Sequence, residues 1–327
     1  MSKTIIENNR FYVDVSKGYV IKGIVDTLCA GGLQRGCFVI KSDGILLRQP
    51  DQGCTILYNV DLPRKNFKLY ICNKPITISI NLKHVQGLLK NVKKKESISL
   101  YIKNDKKEQG KFFISIRPAD TSRESVRKEV NSIAYVEEKG YVPIDLPIGG
   151  YKYPMVIGSA DFQKIKRLIT IGKTINVSIQ GNNYLSFKCD PGVVFDSELV
   201  FGEKIDSTEN KPSEETDDSL EEVTWFDGET SSEDDDANVD TNTVFSSDYY
   251  SNILNKLIRL PGLCTQIQFY APTIPQYPLL LEVSAGQGGS ILGSMQIYIK
   301  DVNQITYETS LANEASDAVI VTKKGKK

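Results

Sequence analysis

Four short amphipathic segments, separated by strand-like sequence, constrain the fold of this chain more than any other feature. The clearest is Ser79–Lys93, where Leu82 and Leu89 belong to an apolar stripe at helical spacing. Lys83 and Lys90 lie on its opposite, cationic face. The other three segments are Tyr19–Leu28, Ser159–Gly172 and Asp248–Leu260.

These repeated cationic faces indicate a surface that meets a polyanion such as nucleic acid. A solvated helix face also carries lysine in proteins that bind no polyanion, so one helix alone leaves both interpretations open. The candidate DNA-binding residues on the four polar faces are Lys22, Lys83, Lys90, Lys164, Arg167, Lys256 and Arg259.

The predicted elements follow one order, a strand, a helix and several strands, which occurs twice in each half of the chain. The links between successive strands are too short for crossover connections, so the sheets are predicted to be antiparallel. The predicted fold class is therefore α+β, with two similar domains that each contain two strand-helix-strands repeats.

The sequence predicts two domains, a connector and a tail. The N-terminal domain is placed at 1–135, the connector at 136–152 and the C-terminal domain at 153–301. The connector is read as extended because Pro118–Gly150 has no sustained period. A disordered acidic insertion is placed at 203–242 and the C-terminal tail at 302–327.

Charge is distributed very unevenly along the chain, although the formal net charge of the 327 residues is only -1. Glu203–Asp240 holds sixteen acidic residues against Lys204 and Lys211, a net charge of -14. The remainder, with 38 basic and 25 acidic residues, is at +13. A basic body fits a nucleic-acid partner better than the overall charge does.

The motifs of common enzyme sites do not occur in the sequence, which argues against catalysis. The phosphate-binding glycine loops, the nucleophile elbow and zinc-type spacings are missing. The six cysteines form no C-x-x-C pair, and the single histidine, His84, lies beside Lys83 with no nearby acidic or cysteine partner. We expect no enzymatic activity, no metal, no cofactor and no membrane segment, and a soluble intracellular protein.

Several short stretches, taken in order, resemble the sliding clamps of eukaryotic and archaeal type, the proliferating cell nuclear antigen family. Ser42–Ile45 is a small-polar-glycine turn, Phe67–Cys72 has a Phe-x-x-Tyr-x-Cys pattern, and Ile80–Leu82 starts the second helix as in the family. Ser159–Phe162 resembles the start of its third helix, and Pro278–Val283 resembles one of its strands. The resemblance spans Phe11–Ile299.

The chain also departs from the family pattern. The acidic insertion falls where the family has a short loop, and the tail extends past the usual end. Pro50 stands where a methionine is common, and Lys300 where a small residue precedes a proline. These departures indicate a divergent clamp such as large DNA viruses encode.

The resemblance implies a DNA-clamp fold that closes into a homotrimeric ring, with helices inside and antiparallel sheets outside. Such a ring encircles double-stranded DNA without reading its sequence and tethers DNA polymerase and other replication or repair proteins, with a clamp loader possible. The family's pocket for short hydrophobic clamp-binding motifs corresponds here to Pro50, Thr55, Leu57, Ile144, Leu146, Pro147, Pro278 and Tyr298.

The main alternative is a basic DNA-binding scaffold protein that works without forming a ring. Leu57 and Tyr298 also have an alternative interpretation as core residues rather than partner contacts. The expected location is the nucleus, or a cytoplasmic viral replication compartment.

Overall fold

The first half of the computed structural model is built of nine strands and two helices. The structure describes residues 8–118, 129–147, 149–189, 197–204, 244–287 and 289–324. The strands are β1 Asn9–Val15, β2 Arg35–Ile40, β3 Gly44–Pro50, β4 Ile56–Pro63, β5 Leu69–Cys72, β6 Ile76–Asn81, β7 Glu96–Lys103, β8 Lys111–Pro118 and β9 Glu129–Glu137. The helices are α1 Gly18–Ala30 and α2 Leu82–Leu89.

The second half repeats this order, with shorter helices between its strands and one long helix at its end. Its strands are β10 Met155–Gly158, β11 Thr174–Gln180, β12 Tyr184–Cys189, β13 Ser197–Gly202, β14 Val244–Tyr250, β15 Gln266–Tyr270, β16 Leu279–Gln287 and β17 Ser290–Ile299. Its helices are α3 Ser159–Phe162, α4 Lys166–Ile171, α5 Ser251–Asn255 and α6 Val302–Lys324.

Every strand pair in the described residues is antiparallel, which confirms the predicted sheet type. Thirteen strands form one sheet in the order β10-β15-β16-β17-β4-β3-β2-β6-β9-β8-β7-β1-β5, and four form a second in the order β13-β12-β11-β14. The large sheet crosses from one half to the other at β17 and β4, which pair from Ser294↔Asp61 to Ile299↔Ile56. The backbone is therefore hydrogen-bonded continuously across this boundary.

The apolar stripes of the predicted helices form the core beneath the sheets. In α1, Val20, Ile24 and Leu28 are buried, and in α2 the same holds for Leu82 and Leu89. The fold class predicted from the sequence, α+β with antiparallel sheets, is confirmed.

The third predicted helix differs in detail from its prediction. A 3-10 turn, Gln163–Ile165, separates α3 from α4. Side chains in a 3-10 turn repeat every three residues, and Phe162, Ile165 and Leu168 are the buried residues. Ile169, which a regular α-helix would bury, is only half-buried.

Three elements, β9, β14 and α6, appear where the sequence predicted none. Strand β9 lies inside the stretch interpreted as a linker, and α6 occupies most of the predicted tail. The acidic insertion falls almost wholly on residues 205–243, outside the described residues. The predicted domain bounds stay predictions.

The two halves have matching strand orders, and the strands that correspond to β4 and β17 in the other half, β13 and β9, have open edges in the described residues. In the first half β4-β3-β2-β6 corresponds to β13-β12-β11-β14 in the second, and β1-β7-β8-β9 corresponds to β10-β15-β16-β17. Strand β4 is paired with β17, but among the described residues β13 pairs only with β12. Over Glu129–Ala134, β9 pairs only with β8 in the described part of the chain.

Candidate nucleic-acid and partner interfaces

A cationic groove runs between α1 and α2 and brings together four of the predicted DNA-binding residues. The Lys22 ammonium donates to the carbonyl of Lys90 at 2.6 Å, which ties the first helix to the end of the second. The Gln86 side chain donates to Asp26 Oδ1 at 2.8 Å and makes a second link. The four cations that line the groove are Lys22, Lys83, Lys90 and Arg259.

A second groove continues from the first, because Arg259 borders both. Lys166 and Lys256 line it, together with Gln163 and Asn255. The cationic surface therefore includes residues from both halves of the chain, as the sequence predicted. Lys166 was not among the DNA-binding residues predicted from the sequence.

Lys164 and Arg167 are exposed but lie outside the residues that line these two grooves. The Lys164 ammonium contacts Asp161 Oδ1 at 2.7 Å, one turn earlier. Their DNA-binding role stays a prediction.

Lys256 is engaged by a carboxylate to which the sequence pattern gave no role. Its ammonium lies 2.6 Å from Asp51 Oδ2, and the Asp51 side chain is only 1% exposed. The Asp51 carboxylate also accepts from the backbone N–H groups of Thr55 and Ile56, at 2.7 and 3.0 Å. Burial alone would raise the pKa of Asp51, but the hydrogen bonds from Lys256, Ile56 and Thr55 outweigh it and hold that pKa below its usual value.

The predicted partner surface lies on the strands that join the two halves. Pro50 is the cross-strand neighbour of Leu57, and Leu57 is that of Tyr298. Directly opposed residues in a sheet share a face, so these three form one apolar row. Tyr298 is buried at 5% exposure, whereas Pro50 and Leu57 are half-buried. Tyr298 is thus the buried end of the row, where the Tyr151 ring packs against it, and the partner-binding role of all three residues stays a prediction.

The connector lies against β3 through two hydrogen bonds. The Tyr141 hydroxyl donates to the carbonyl of Arg48 at 2.5 Å, and the Arg48 guanidinium donates to the carbonyl of Ile144 at 2.9 Å. These bonds use the backbone of Ile144, and its side chain remains exposed. Leu146 and Pro147 are half-buried beside it.

Three tyrosines form a cluster at the Tyr298 end of the apolar row. Tyr151 packs against Tyr277 and Tyr298, with ring centroids 6.0 and 6.4 Å apart. Its hydroxyl donates to the carbonyl of Pro278 at 3.1 Å. Burial raises the pKa of Tyr151, so the hydroxyl stays protonated as a donor. Pro278 thus contacts the aromatic cluster through its backbone.

Thr55 is placed differently from the other predicted partner residues. Its hydroxyl donates to Asp51 Oδ2 at 3.0 Å, and its carbonyl accepts from the Lys300 N–H. Both polar groups are directed to the interior of the chain. Thr55 is therefore a structural residue of the loop between β3 and β4.

No group of three or more His, Cys, Asp or Glu in the described residues could hold a metal ion. Among the same residues, no helix has the length and apolar character needed to cross a membrane.

Comparisons with known proteins identify the fold. A solved structure of proliferating cellular nuclear antigen from Entamoeba histolytica matches 90% of this chain and 99% of its own, with a TM-score of 0.64 and 15% identity. The chain has the sliding-clamp fold. The family model "Proliferating cell nuclear antigen, N-terminal domain" matches residues 11–133, which lie in the first half of the chain.

Curated relatives match shorter stretches of this chain. The "DNA polymerase sliding clamp" of Pyrococcus furiosus is 26% identical over 115 residues, which is 35% of this chain and 41% of that protein. That of Thermococcus gammatolerans is 31% identical over 68 residues, 21% of this chain and 27% of that protein. The matched stretches thus span less than half the length of these relatives.

Proposed function

We propose that this clamp is a non-enzymatic DNA polymerase processivity factor, a homotrimeric ring that encircles duplex DNA and tethers a polymerase. The observation that carries the proposal is the cationic surface on the helices, to which both halves contribute through Lys83, Lys90 and Arg259. Cations on helix faces attract phosphates without reading bases, so the ring slides along DNA.

Ring closure is supported by the two open strand edges. Within one chain, β4 of the first half pairs with β17 of the second. The comparable strands β13 and β9 are left with open edges in the described residues. Pairing β9 of one copy with β13 of the next repeats the same contact between chains. Such head-to-tail contacts close into a ring when the rotation per copy allows it, and three copies place six similar halves around the hole.

Partner binding is assigned to the connector and the apolar row beside it. Ile144, Leu146 and Pro50 offer partly exposed apolar side chains, and the row that contains Pro50 ends at the buried Tyr298. Short hydrophobic motifs dock on surfaces of this type. A polymerase held there remains near the template at a high effective concentration, which is the physical basis of processivity.

The experiment that tests this proposal compares circular and linear DNA. The clamp is assembled on a nicked circular plasmid with a clamp loader extract, purified, and washed at high salt. Retention on the circle followed by loss after linearisation is the expected result, because a ring is held by topology and slides off a free end. Light scattering of the free protein gives the mass, which we expect to be three times the chain mass of 36.5 kDa.

Two outcomes contradict the proposal. Equal loss from circular and linear DNA at high salt identifies a non-ring DNA-binding scaffold held by charge alone. A monomeric mass at all concentrations, with salt-sensitive DNA binding, identifies the same alternative.

A further inference from the structure

The carboxylate of Asp51 lies between the partner surface and the cationic grooves. It follows Pro50 at the end of β3, and it accepts hydrogen bonds from Thr55 and Ile56 at the start of β4. Its fourth donor, Lys256, comes from the second half of the chain. One side chain therefore connects the loop on the partner side with the end of α5.

Lys256 has a second environment available to it. The residue lines the groove that Lys166 and Arg259 also line, and 29% of its side chain is exposed there. While its ammonium contacts Asp51 Oδ2, its positive charge is neutralised. A lysine has four flexible methylene groups, so the ammonium can turn from the carboxylate into the groove.

Asp51 keeps other partners when the lysine turns away. Two backbone N–H groups and the Thr55 hydroxyl remain bonded to its two oxygens. Hydrogen bonds from backbone N–H groups stabilise the charged form of a carboxylate. The buried charge is thus not left without donors.

We propose that Asp51 withholds the Lys256 ammonium from DNA and so sets the number of cations that the groove presents to phosphates. This rests on the proposed function, because it assumes that DNA contacts the groove. Lys256 is then not a phosphate contact in the resting clamp, in contrast to the prediction from the sequence. A partner that displaces the Pro50–Thr55 loop would release one further cation towards DNA.

The test is the salt dependence of DNA binding, measured by fluorescence anisotropy on a labelled duplex. Asp51→Asn frees Lys256, and each further phosphate neutralised steepens the slope of log K against log salt by about 0.9. The matched control is Asp26→Asn, which removes the same charge from the neighbouring groove without freeing a lysine. We expect Asp51→Asn to steepen the slope beyond this control.

Two further variants complete the design. In Asp51→Asn/Lys256→Gln the slope should return to that of the unmodified protein. Lys256→Gln alone should leave the slope unchanged, whereas Arg259→Gln should flatten it by about 0.9. Thermal melting and light scattering verify that each variant is folded and assembled. If Asp51→Asn does not fold, the slope of Lys256→Gln compared with that of Arg259→Gln decides whether Lys256 contacts phosphates.

The inference is overturned if Asp51→Asn matches Asp26→Asn, or if Lys256→Gln flattens the slope as Arg259→Gln does. Failure of the proposed function gives a different result. If DNA does not contact the groove, Arg259→Gln leaves the slope of the unmodified protein unchanged. If the protein is a scaffold without a ring, the variants still change the slope as described, but the protein is lost equally from circular and linear DNA.

Discussion

At the scale of single residues, Asp51 shows how a buried charge is accommodated, since its side chain is only 1% exposed. A buried carboxylate is strongly destabilising unless donors surround it, and here four hydrogen bonds do so. Lys256 is 205 positions away in the chain. No sequence pattern predicts a pair at that separation. The cations on regular helix faces, such as Lys83 and Lys90, could be predicted because helical periodicity fixes their direction.

Acid stability tests the environment of Asp51. Its folded pKa lies below the usual 3.8, so its contribution to stability is full above the unfolded pKa and is lost as the pH falls through the folded pKa. Asp51→Asn should cost about 1.5–3 kcal/mol at pH 7, the range for hydrogen bonds to charged groups. Below about pH 4 the gap to the unmodified protein should shrink.

Melting temperatures between pH 3 and pH 7 measure this gap. Glu198→Gln changes an exposed carboxylate on β13 and serves as the control. A pH-independent gap between Asp51→Asn and the unmodified protein would exclude an ionised Asp51.

At the scale of elements, β9 shows why part of the fold could not be predicted from the sequence. Among its nine residues only Ile133 is buried. A strand with an open edge and two mostly exposed faces has no alternation of apolar and polar residues, which is the signal for strands. Strands with one buried face, such as β4 and β11, follow the predicted pattern. Strand β14 was not predicted either, because Tyr249 is its only buried residue and the residues before it alternate between exposed and half-buried.

Lysine substitutions on the open edges test the assignment of the ring contact. Val130 on β9 and Val200 on β13 are 47% and 46% exposed. If these strands pair between copies, Val130→Lys or Val200→Lys should shift the assembly towards monomer while melting changes little. Val244→Lys, on β14 at 44% exposure, is the matched control and should leave the mass unchanged. Equal dissociation of all three variants, measured by light scattering, would refute the assignment.

The connector carries the second prediction at this scale. Ile144→Ala with Leu146→Ala should reduce DNA synthesis by the cognate polymerase at least about tenfold, because the apolar anchors of a docked motif no longer have side chains to pack against. The assembly should persist, since the connector is held through Tyr141 and Arg48. Val142→Ala removes a comparable exposed side chain from the same segment. Primer-extension assays that show equal synthesis with both variants would place partner binding elsewhere.

At the scale of the whole molecule, charge separates the chain into a basic body and an acidic segment. The sequence revealed this separation, but it could not show which cations share one surface. The two grooves join Lys22, Lys83, Lys90 and Lys166 through Arg259, and Arg259 belongs to a short irregular stretch between α5 and β15. Long-range assembly of the two halves, rather than any local pattern, creates this surface.

A charge-matched pair of triple variants tests that surface. The first variant changes three groove cations to glutamine, namely Lys83, Lys90 and Arg259. It should flatten the slope of log K against log salt for DNA binding, by up to about 0.9 for each phosphate that is no longer neutralised. The control variant changes three cations in the link between β4 and β5 to glutamine, namely Arg64, Lys65 and Lys68. We expect a much smaller change in that control. Similar slopes for both variants, in anisotropy titrations, would mean that only net charge matters.

The pairing of β17 with β4 has a mechanical consequence for a closed ring. Six residues of each strand are paired across the boundary between the halves, and Asn59 and Gln296 add a side-chain hydrogen bond at 3.0 Å. The Asn66 side chain also donates to the carbonyl of Leu292. In the described residues, the two halves of one chain are thus joined by a paired sheet edge and two side-chain hydrogen bonds. In the proposed ring, we therefore expect the seams between subunits, at the edges of β9 and β13, to open before the two halves of one chain separate.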